Sequence, residues 1–517
     1  MCAIAIAHVT RLASLSRSHY MSARNSQGSL SLVCSFFASG AGAWVLFTVP
    51  EAAILGGPIA VLGYAVSCIM PLLIFAAVGP RMRHLVPEGI TFFEFVQARY
   101  GTIVNTYVSL IASFYMFLYL AAEFTSVGDC VTLLSGATSM APIIGTSVVT
   151  LLYTTFGGLP VSLITDRVQG VGITVFTILI CIVAFGYTLF PTYEPSINGL
   201  YAANNASANW RMVTSYGLAG EPSGAWSMAV VLILAVTSAN LMHTGFQQRI
   251  WAAKDNEAVV NGLIGASLLT LPLFLVFGLF GMIAFANVGF GLVAPNYIAF
   301  LSAFVLVQGM PTGWQILCII IAVMMVASSA DTIQTGLSGL FHPIIHRALG
   351  RTPDDGKSPV VPLAINLGLT VVVNIVAISL AAQHLSVLSL FVLADLLCAT
   401  CCVPVIMGLS NRIHPMAALA GCVSGLITAL AIYGAGIDGE LGNFQTLFAP
   451  GGLYANTSLY AFIFTPLVSG IVTAVVALPF AAQGYMFAGW DADKQITDTK
   501  GVTLGVTVVA EVESAAA

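Results

Sequence analysis

Residues 36–51 read FFASGAGAWVLFTVPE. The stretch is apolar enough for a membrane helix, yet its centre, Ala38-Ser39-Gly40-Ala41-Gly42-Ala43, continues one poorly. A glycine in a helix interior costs about 1 kcal/mol relative to alanine. Pro50 and the carboxylate of Glu51 follow. The stretch predicts a helix interrupted at membrane depth. Carbonyls freed there must be satisfied by protein, ion or water, so such breaks line cavities. Close packing of small residues is the plainer reading of the same glycines.

The rest of the chain agrees with a membrane setting. Of its 517 residues, 58% are hydrophobic and 7% charged, and the mean hydropathy is +0.95. Soluble domains carry about 25% charged residues, so this chain could not cover a water-facing surface. It reads as a polytopic protein of the lipid bilayer. No basic patch is present, which speaks against nucleic acid as a partner. The cysteines lie mostly in apolar runs and imply no disulfide framework. Cys398-x-x-Cys401-Cys402 reads as small residues packing between helices rather than as a metal or redox motif. No metal cluster or nucleophile elbow occurs in the loops, so an enzyme is not expected. Nothing resembles a channel's filter loop or charge ring. No cofactor is implied beyond a coupling ion, Na⁺ or H⁺.

A spanning helix needs about 20 apolar residues. Twelve segments qualify: 29–55, 57–79, 103–124, 140–157, 163–190, 225–247, 259–285, 312–341, 359–382, 384–410, 415–436 and 459–483. The short run 294–308 reads as interfacial. With residues 1–28 placed in the cytoplasm, every Lys and Arg except Arg211 falls on the cytoplasmic side, as the positive-inside rule requires. The sequons at Asn205 and Asn456 fall outside. The domain reading is a cytoplasmic segment 1–28, a ten-helix core 29–410, two further helices within 411–483 and a disordered cytoplasmic tail 484–517.

Five spans precede residue 225, so the sixth runs opposite to the first. Two inverted five-helix units are a recurring transporter architecture, and its pointer is an interrupted helix at matching positions in both halves. The sixth span has such an interruption, Ser238-Ala-Asn240-Leu-Met-His243-Thr-Gly245-Phe-Gln247-Gln248. The fold expected is all-α, with about twelve transmembrane helices: a five-plus-five inverted-repeat core and two C-terminal helices.

Acids inside a membrane are costly and mark function. Glu51 and Glu123 fall near the outer ends of their predicted spans, where a solvated vestibule would accommodate them; Asp331 and Asp395 lie deeper. The run VASSADTIQTGLSGLF (326–341) places Ser328, Asp331, Thr332 and Thr335 on one helical stripe, with Ser329 beside it. Such a stripe could cage a hard cation with oxygen. Hydroxyls bonding back to their own helix are the alternative, and would account for one or two of them. His243 suits a packed, satisfied histidine as well as a solute ligand.

At these residues the chain resembles the sodium/solute symporter family, over roughly residues 21–430. The match is most specific at Ser328-Ser329-Ala330-Asp331-Thr332, then at Ala38, Ala41, Trp44 and Pro50, and at Gly157-Gly158-Leu159 followed by Thr165-Asp166-x-x-Gln169. The loop around Arg99 resembles the fungal urea-transporter branch. Most relatives carry one more helix before the first core helix, where this chain has MCAIAIAHVTRLASLSRSHY (1–20). The resemblance implies a LeuT-like fold and a Na⁺ site built from the carbonyls of Ala38, Ala41 and Met325 and the hydroxyls of Ser328 and Ser329. It implies ion coupling through Asp166, whose position equally suits a salt bridge with Arg167 or Arg249. Asp331 could carry a proton instead. The expected activity is cation-coupled symport of a small polar solute such as urea or proline across the plasma membrane. Trp44, Glu51, Asn240, His243 and Gln247 are the expected solute contacts. A nutrient sensor of the same fold that does not transport is the alternative.

Overall fold

The computed structural model describes residues 17–189, 206–288, 312–350, 360–385, 387–435 and 452–487. The run 294–308, Asn205, most of the N-terminal segment and the tail beyond 487 lie outside the described residues. Within them the chain forms fourteen α-helices and one isolated β-bridge, between Gln27 and Ala253. The helices are α1 (Arg17–Ser22), α2 (Ser29–Gly40), α3 (Val45–Leu85), α4 (Phe92–Ser135), α5 (Met140–Leu189), α6 (Ala206–Ser215) and α7 (Pro222–Leu241). They continue as α8 (Thr244–Ala252), α9 (Asn256–Val288), α10 (Thr312–Ala348), α11 (Val360–Ala381), α12 (Val387–Met407), α13 (Pro415–Ala435) and α14 (Asn456–Ala482).

Ten of these are long and apolar enough to cross a membrane, and two of the ten are really pairs. In α3, Gly57 adopts φ +63°, a left-handed conformation that glycine alone enters freely. A straight helix would hold Thr48 and Tyr64 about 24 Å apart. Instead the Tyr64 hydroxyl donates to Thr48 Oγ1 at 2.9 Å, so the chain doubles back. Pro58 begins the second limb, where its missing N–H is harmless. Gly158 does the same in α5, with φ +58° and Pro160 two residues on. Separating these limbs, and joining α2 to the first limb of α3, restores twelve crossings. Only the ends differ from those expected. The third crossing belongs to α4, which runs from Phe92 to Ser135 with a turn at Gly101, rather than over 103–124. Its polar continuation is helical because Thr125, Ser126 and Thr132 donate their hydroxyls to the carbonyls of Ala121, Ala122 and Gly128.

Both expected interruptions are present. The first helix stops at Gly40 and resumes at Val45; the sixth stops at Leu241 and resumes at Thr244. Around the first break the core is densely aromatic. Facing outward, by contrast, are large apolar side chains such as Ile103, Phe156, Leu268 and Leu478, each about two-thirds exposed (64–69%). On a soluble protein such a surface would aggregate; in a bilayer it is the lipid face. Helices approach closely where residues are small: Gly63 lies against Ala229, and Gly425 against Thr400. Cys398, Cys401 and Cys402 are buried in α12 without disulfides, and Cys402 Sγ donates to Ser238 Oγ at 3.5 Å.

Residues 20–27 cross one end of the bundle. The Tyr20 hydroxyl donates to the Thr155 carbonyl at 2.6 Å, and the amides of Ser26 and Gln27 donate to the Ala252 carbonyl at 2.9 Å. Behind Tyr20 is a cavity of about 40 Å³ lined by Thr154, Gln248, Gln334, Thr335 and Asn366, among others.

Candidate ion and solute site

The hydroxyl stripe of α10 divides in two. Ser329 and Thr335 bond back to their own helix, donating to the carbonyls of Met325 (3.1 Å) and Asp331 (2.9 Å). Ser328 and Thr332 do not. Ser328 Oγ donates to Asp166 Oδ1 at 2.7 Å, and Thr332 Oγ1 accepts from Arg249 Nη2 at 2.7 Å. The local bonding expected for one or two hydroxyls explains two; the others turn toward neighbouring helices.

Asp166, fully buried on the second limb of α5, is a hub. Its Oδ2 accepts from Ser35 Oγ at 2.5 Å and from Arg249 Nη2 at 2.6 Å. Of the two arginines considered from sequence, Arg249 is the partner. Arg167 instead donates to Ser31 Oγ at 2.6 Å and to Gln27 Oε1. Arg249 is also fully buried and donates to Ser35 Oγ (2.7 Å) and to the Gly245 carbonyl (2.7 Å). Ser35 on α2 and Ser328 on α10 thus share one carboxylate, which sets the first helix beside the stripe.

Asp331 is equally buried and is caged by hydroxyls. Tyr153 donates at 2.7 Å, Ser162 at 2.8 Å and Thr165 at 3.1 Å. These donors flank the Gly158 turn, so the carboxylate pins both limbs of α5 to α10.

At the first break, the carbonyls of Ala38 and Ala41 accept no hydrogen bond among the described residues. Between the break and the stripe lies Glu123. Its Oε2 accepts the Ala43 amide at 3.0 Å, and its carboxylate lies beside Ser329. Glu123 is therefore not in a solvated vestibule: it is 0% exposed, twelve residues before the end of α4. The vestibule reading came from ending this helix too early.

The expected solute contacts are placed as follows. Trp44 Nε1 donates to the Tyr119 hydroxyl at 2.7 Å, and the ring meets those of Tyr64, Phe274 and Phe391. Asn240 Oδ1 accepts from the Tyr115 hydroxyl at 3.2 Å. His243 caps α8 and stacks on Phe246 with centroids 4.3 Å apart; it meets Tyr115 and Tyr119 edge to face, and its Nε2 has no partner among the described residues. Trp44, Asn240 and His243 are thus joined through Tyr115 and Tyr119. Glu51 is half-buried on the first limb of α3. Gln247 is committed elsewhere: its Oε1 accepts the Phe92 amide at 3.0 Å and its Nε2 donates to the Leu241 carbonyl at 2.9 Å.

Sequence reading missed Ser35, Tyr153, Ser162, Tyr115 and Tyr119. One signal was available for the tyrosines: Tyr115, Tyr119 and Glu123 recur every four residues, on one face of α4.

The profile of the Sodium:solute symporter family matches residues 20–425. Over 513 residues the chain is 25% identical to the spermidine transporter DUR31 of Candida albicans, covering 96% of this chain and 90% of that relative. The fold is similar to that of a Na⁺-coupled sialic acid symporter in a substrate-bound outward-open state. The TM-score is 0.70 at 18% identity, over 93% of this chain and 96% of the other. It is also similar to Mhp1, a nucleobase-cation-symport-1 family transporter, in a closed conformation. There the TM-score is 0.55 at 14% identity, over 92% and 98% of the two chains. The fold is thus that of the broken-helix, inverted-repeat transporters. The chain is an integral multi-pass membrane protein, a secondary active symporter with Na⁺ as coupling ion rather than an enzyme, and it belongs to the sodium:solute symporter family.

Proposed function

We propose that this chain uses the Na⁺ gradient to import a small, polar, nitrogen-bearing solute across the plasma membrane. The observation that carries this reading is the pair of free carbonyls at Ala38 and Ala41, on the helix whose Ser35 shares Asp166 with Ser328. Ser328 and Ser329 each donate their one proton away from the break, so their lone pairs are free to face a cation. With the Met325 carbonyl, these oxygens would hold Na⁺, which favours hard oxygen ligands. Na⁺ bound there ties the broken helix to α10 and stabilises the solute-competent state; its departure lets the core rock to the other side. Asp166, paired with Arg249, couples the site to α8, and Asp331 couples it to the hinge at Gly158. Each elementary charge crossing 100 mV supplies about 2.3 kcal/mol, about 50-fold accumulation.

Urea, proline and the polyamine in the name of the Candida relative are the candidate solutes. The expected contacts are Trp44, Asn240 and His243, with Glu51 about two turns along α3 from Trp44; the bonds already made by Gln247 support a bracing role for it. The test is uptake by the full chain with Ser328→Ala and Ser329→Ala combined. The half-saturating Na⁺ concentration should rise about 10- to 100-fold, from the loss of two oxygen ligands at roughly 1 kcal/mol each, with surface expression held. Unchanged Na⁺ dependence would remove the ion-site assignment.

A further inference from the structure

The first break presents the N-terminus of a half-helix beginning at Val45. Such an end carries partial positive charge, and in broken-helix transporters it receives an anionic group of the solute. Here the protein has filled that place itself. Glu123 Oε2 takes the Ala43 amide, and the carboxylate presses so closely on Gly42 that a Cβ there would lie 1.6 Å from Oε1. A solute carboxylate would meet Glu123, not the half-helix.

The second oxygen, Oε1, is buried and has no hydrogen-bond partner among the described residues. The Ser329 hydroxyl and the Trp44 amide lie beside the carboxylate, but the Ser329 proton goes to the Met325 carbonyl. A buried carboxylate oxygen without a donor is costly, so Oε1 is a place where a donor from outside the chain would be stabilised.

The surroundings state what that is. One turn below Glu123 is Tyr119, and Trp44, Tyr64, Tyr119, Phe274 and Phe391 form a continuous aromatic group with centroids 5.2–6.4 Å apart. Aromatic faces take ammonium groups and methylenes alike. Beyond Phe391, one turn along α12, is Asp395, which is buried and makes no ion pair among the described residues. Tyr64 lies within electrostatic reach of both Asp395 and Glu51. The ion pairs among the described residues are Arg249–Asp166, Lys254–Asp255 and His384–Asp129, so none of Glu51, Glu123 and Asp395 is compensated by a basic side chain.

We infer that the solute site takes a linear alkyl amine bearing two or more ammonium groups. One ammonium donates to Glu123 Oε1, the methylenes lie against Trp44, Tyr119 and Phe391, and a second ammonium is drawn to Asp395. This rests on the symport reading above and narrows it: a zwitterion such as proline is disfavoured by its own carboxylate, and urea leaves the acids uncompensated.

The experiment is Na⁺-driven uptake of labelled spermidine into proteoliposomes containing the full chain, with 1,4-diaminobutane, propylamine, proline and urea as competitors. The diamine should compete best and propylamine weakly, with proline and urea inert at the same concentration. Glu123→Gln should raise the KM for spermidine about 10- to 100-fold, the range for losing a charged hydrogen bond. The half-saturating Na⁺ concentration at saturating spermidine should move less than about threefold. Asp395→Asn should weaken spermidine more than propylamine. If Glu123→Gln does not reach the membrane, Glu123→Asp, one methylene shorter, should raise the KM by a smaller factor; an unchanged KM overturns the assignment. A Glu123→Gln variant altered in Na⁺ dependence alone would make Glu123 an ion ligand and overturn it too. Na⁺-driven accumulation of proline or urea, uncompeted by the amines, would remove the amine site and leave symport standing. Absence of Na⁺-driven accumulation of every solute tested would remove both.

Discussion

The buried pair Arg249–Asp166 makes a quantitative prediction. Both side chains are fully buried and 2.6 Å apart. Removing one partner of such a pair leaves an uncompensated charge and costs about 3–5 kcal/mol. The two single variants should differ. Asp166→Asn keeps the shape and one of the two oxygens that accept from Ser35 and Ser328, so it should fall near the lower end of that range. Arg249→Met loses the donors to Ser35, Gly245 and Thr332 as well. It also leaves two neighbouring carboxylates, Asp166 and Asp331, without a cation, so it should fall at the upper end. The double variant removes both charges and should recover about 2–3 kcal/mol relative to the sum of the singles, the upper range for residues in direct contact. Unfolding the purified protein by titration with sodium dodecyl sulfate, followed by tryptophan fluorescence, measures all three. Additivity within about 0.5 kcal/mol, or Asp166→Asn costing more than Arg249→Met, would refute the reasoning.

Two further outcomes follow from the turns and the end seal. Gly158→Ala would place a Cβ 2.4 Å from the Tyr20 carbonyl oxygen in a left-handed conformation, whereas Gly101→Ala meets the same conformation with open space around it. The second should cost only the backbone strain, about 1–3 kcal/mol, and the first clearly more; equal losses of thermal stability would contradict the hinge assigned to Gly158. Tyr20→Phe removes the hydrogen bond to Thr155, worth about 0.5–1.5 kcal/mol. A cysteine placed at Thr154, in the cavity behind Tyr20, should then be labelled faster by a thiol reagent from the N-terminal side; an unchanged rate would show that Tyr20 does not seal it.

The division of the chain into membrane crossings was legible because its signals are local. Hydropathy over about 20 residues located the spans, although the glycines at their reversals, Gly57 and Gly158, were recognised only in the structure. The interrupted runs Ser39–Ala43 and Ser238–Gln248 located the breaks. Reading failed where polarity was satisfied in an unexpected way. Thr125, Ser126 and Thr132 lowered the apparent hydropathy of α4 but bond to their own helix, so the helix continues and carries Glu123 inward.

By itself, then, the sequence determined twelve crossings, two interrupted helices and a hydroxyl stripe on α10, since each depends on neighbours within a few turns. Only the tertiary structure decided which of those groups meet. Arg249 rather than Arg167 neutralises Asp166; Ser35 joins that pair; Tyr153, Ser162 and Thr165 satisfy Asp331; Glu123 fills the first break. The physical reason is that these partners lie 80 to 214 residues apart, far beyond any helical repeat. Helical periodicity sets which face a residue occupies, but the neighbour on that face is set by how the helices pack.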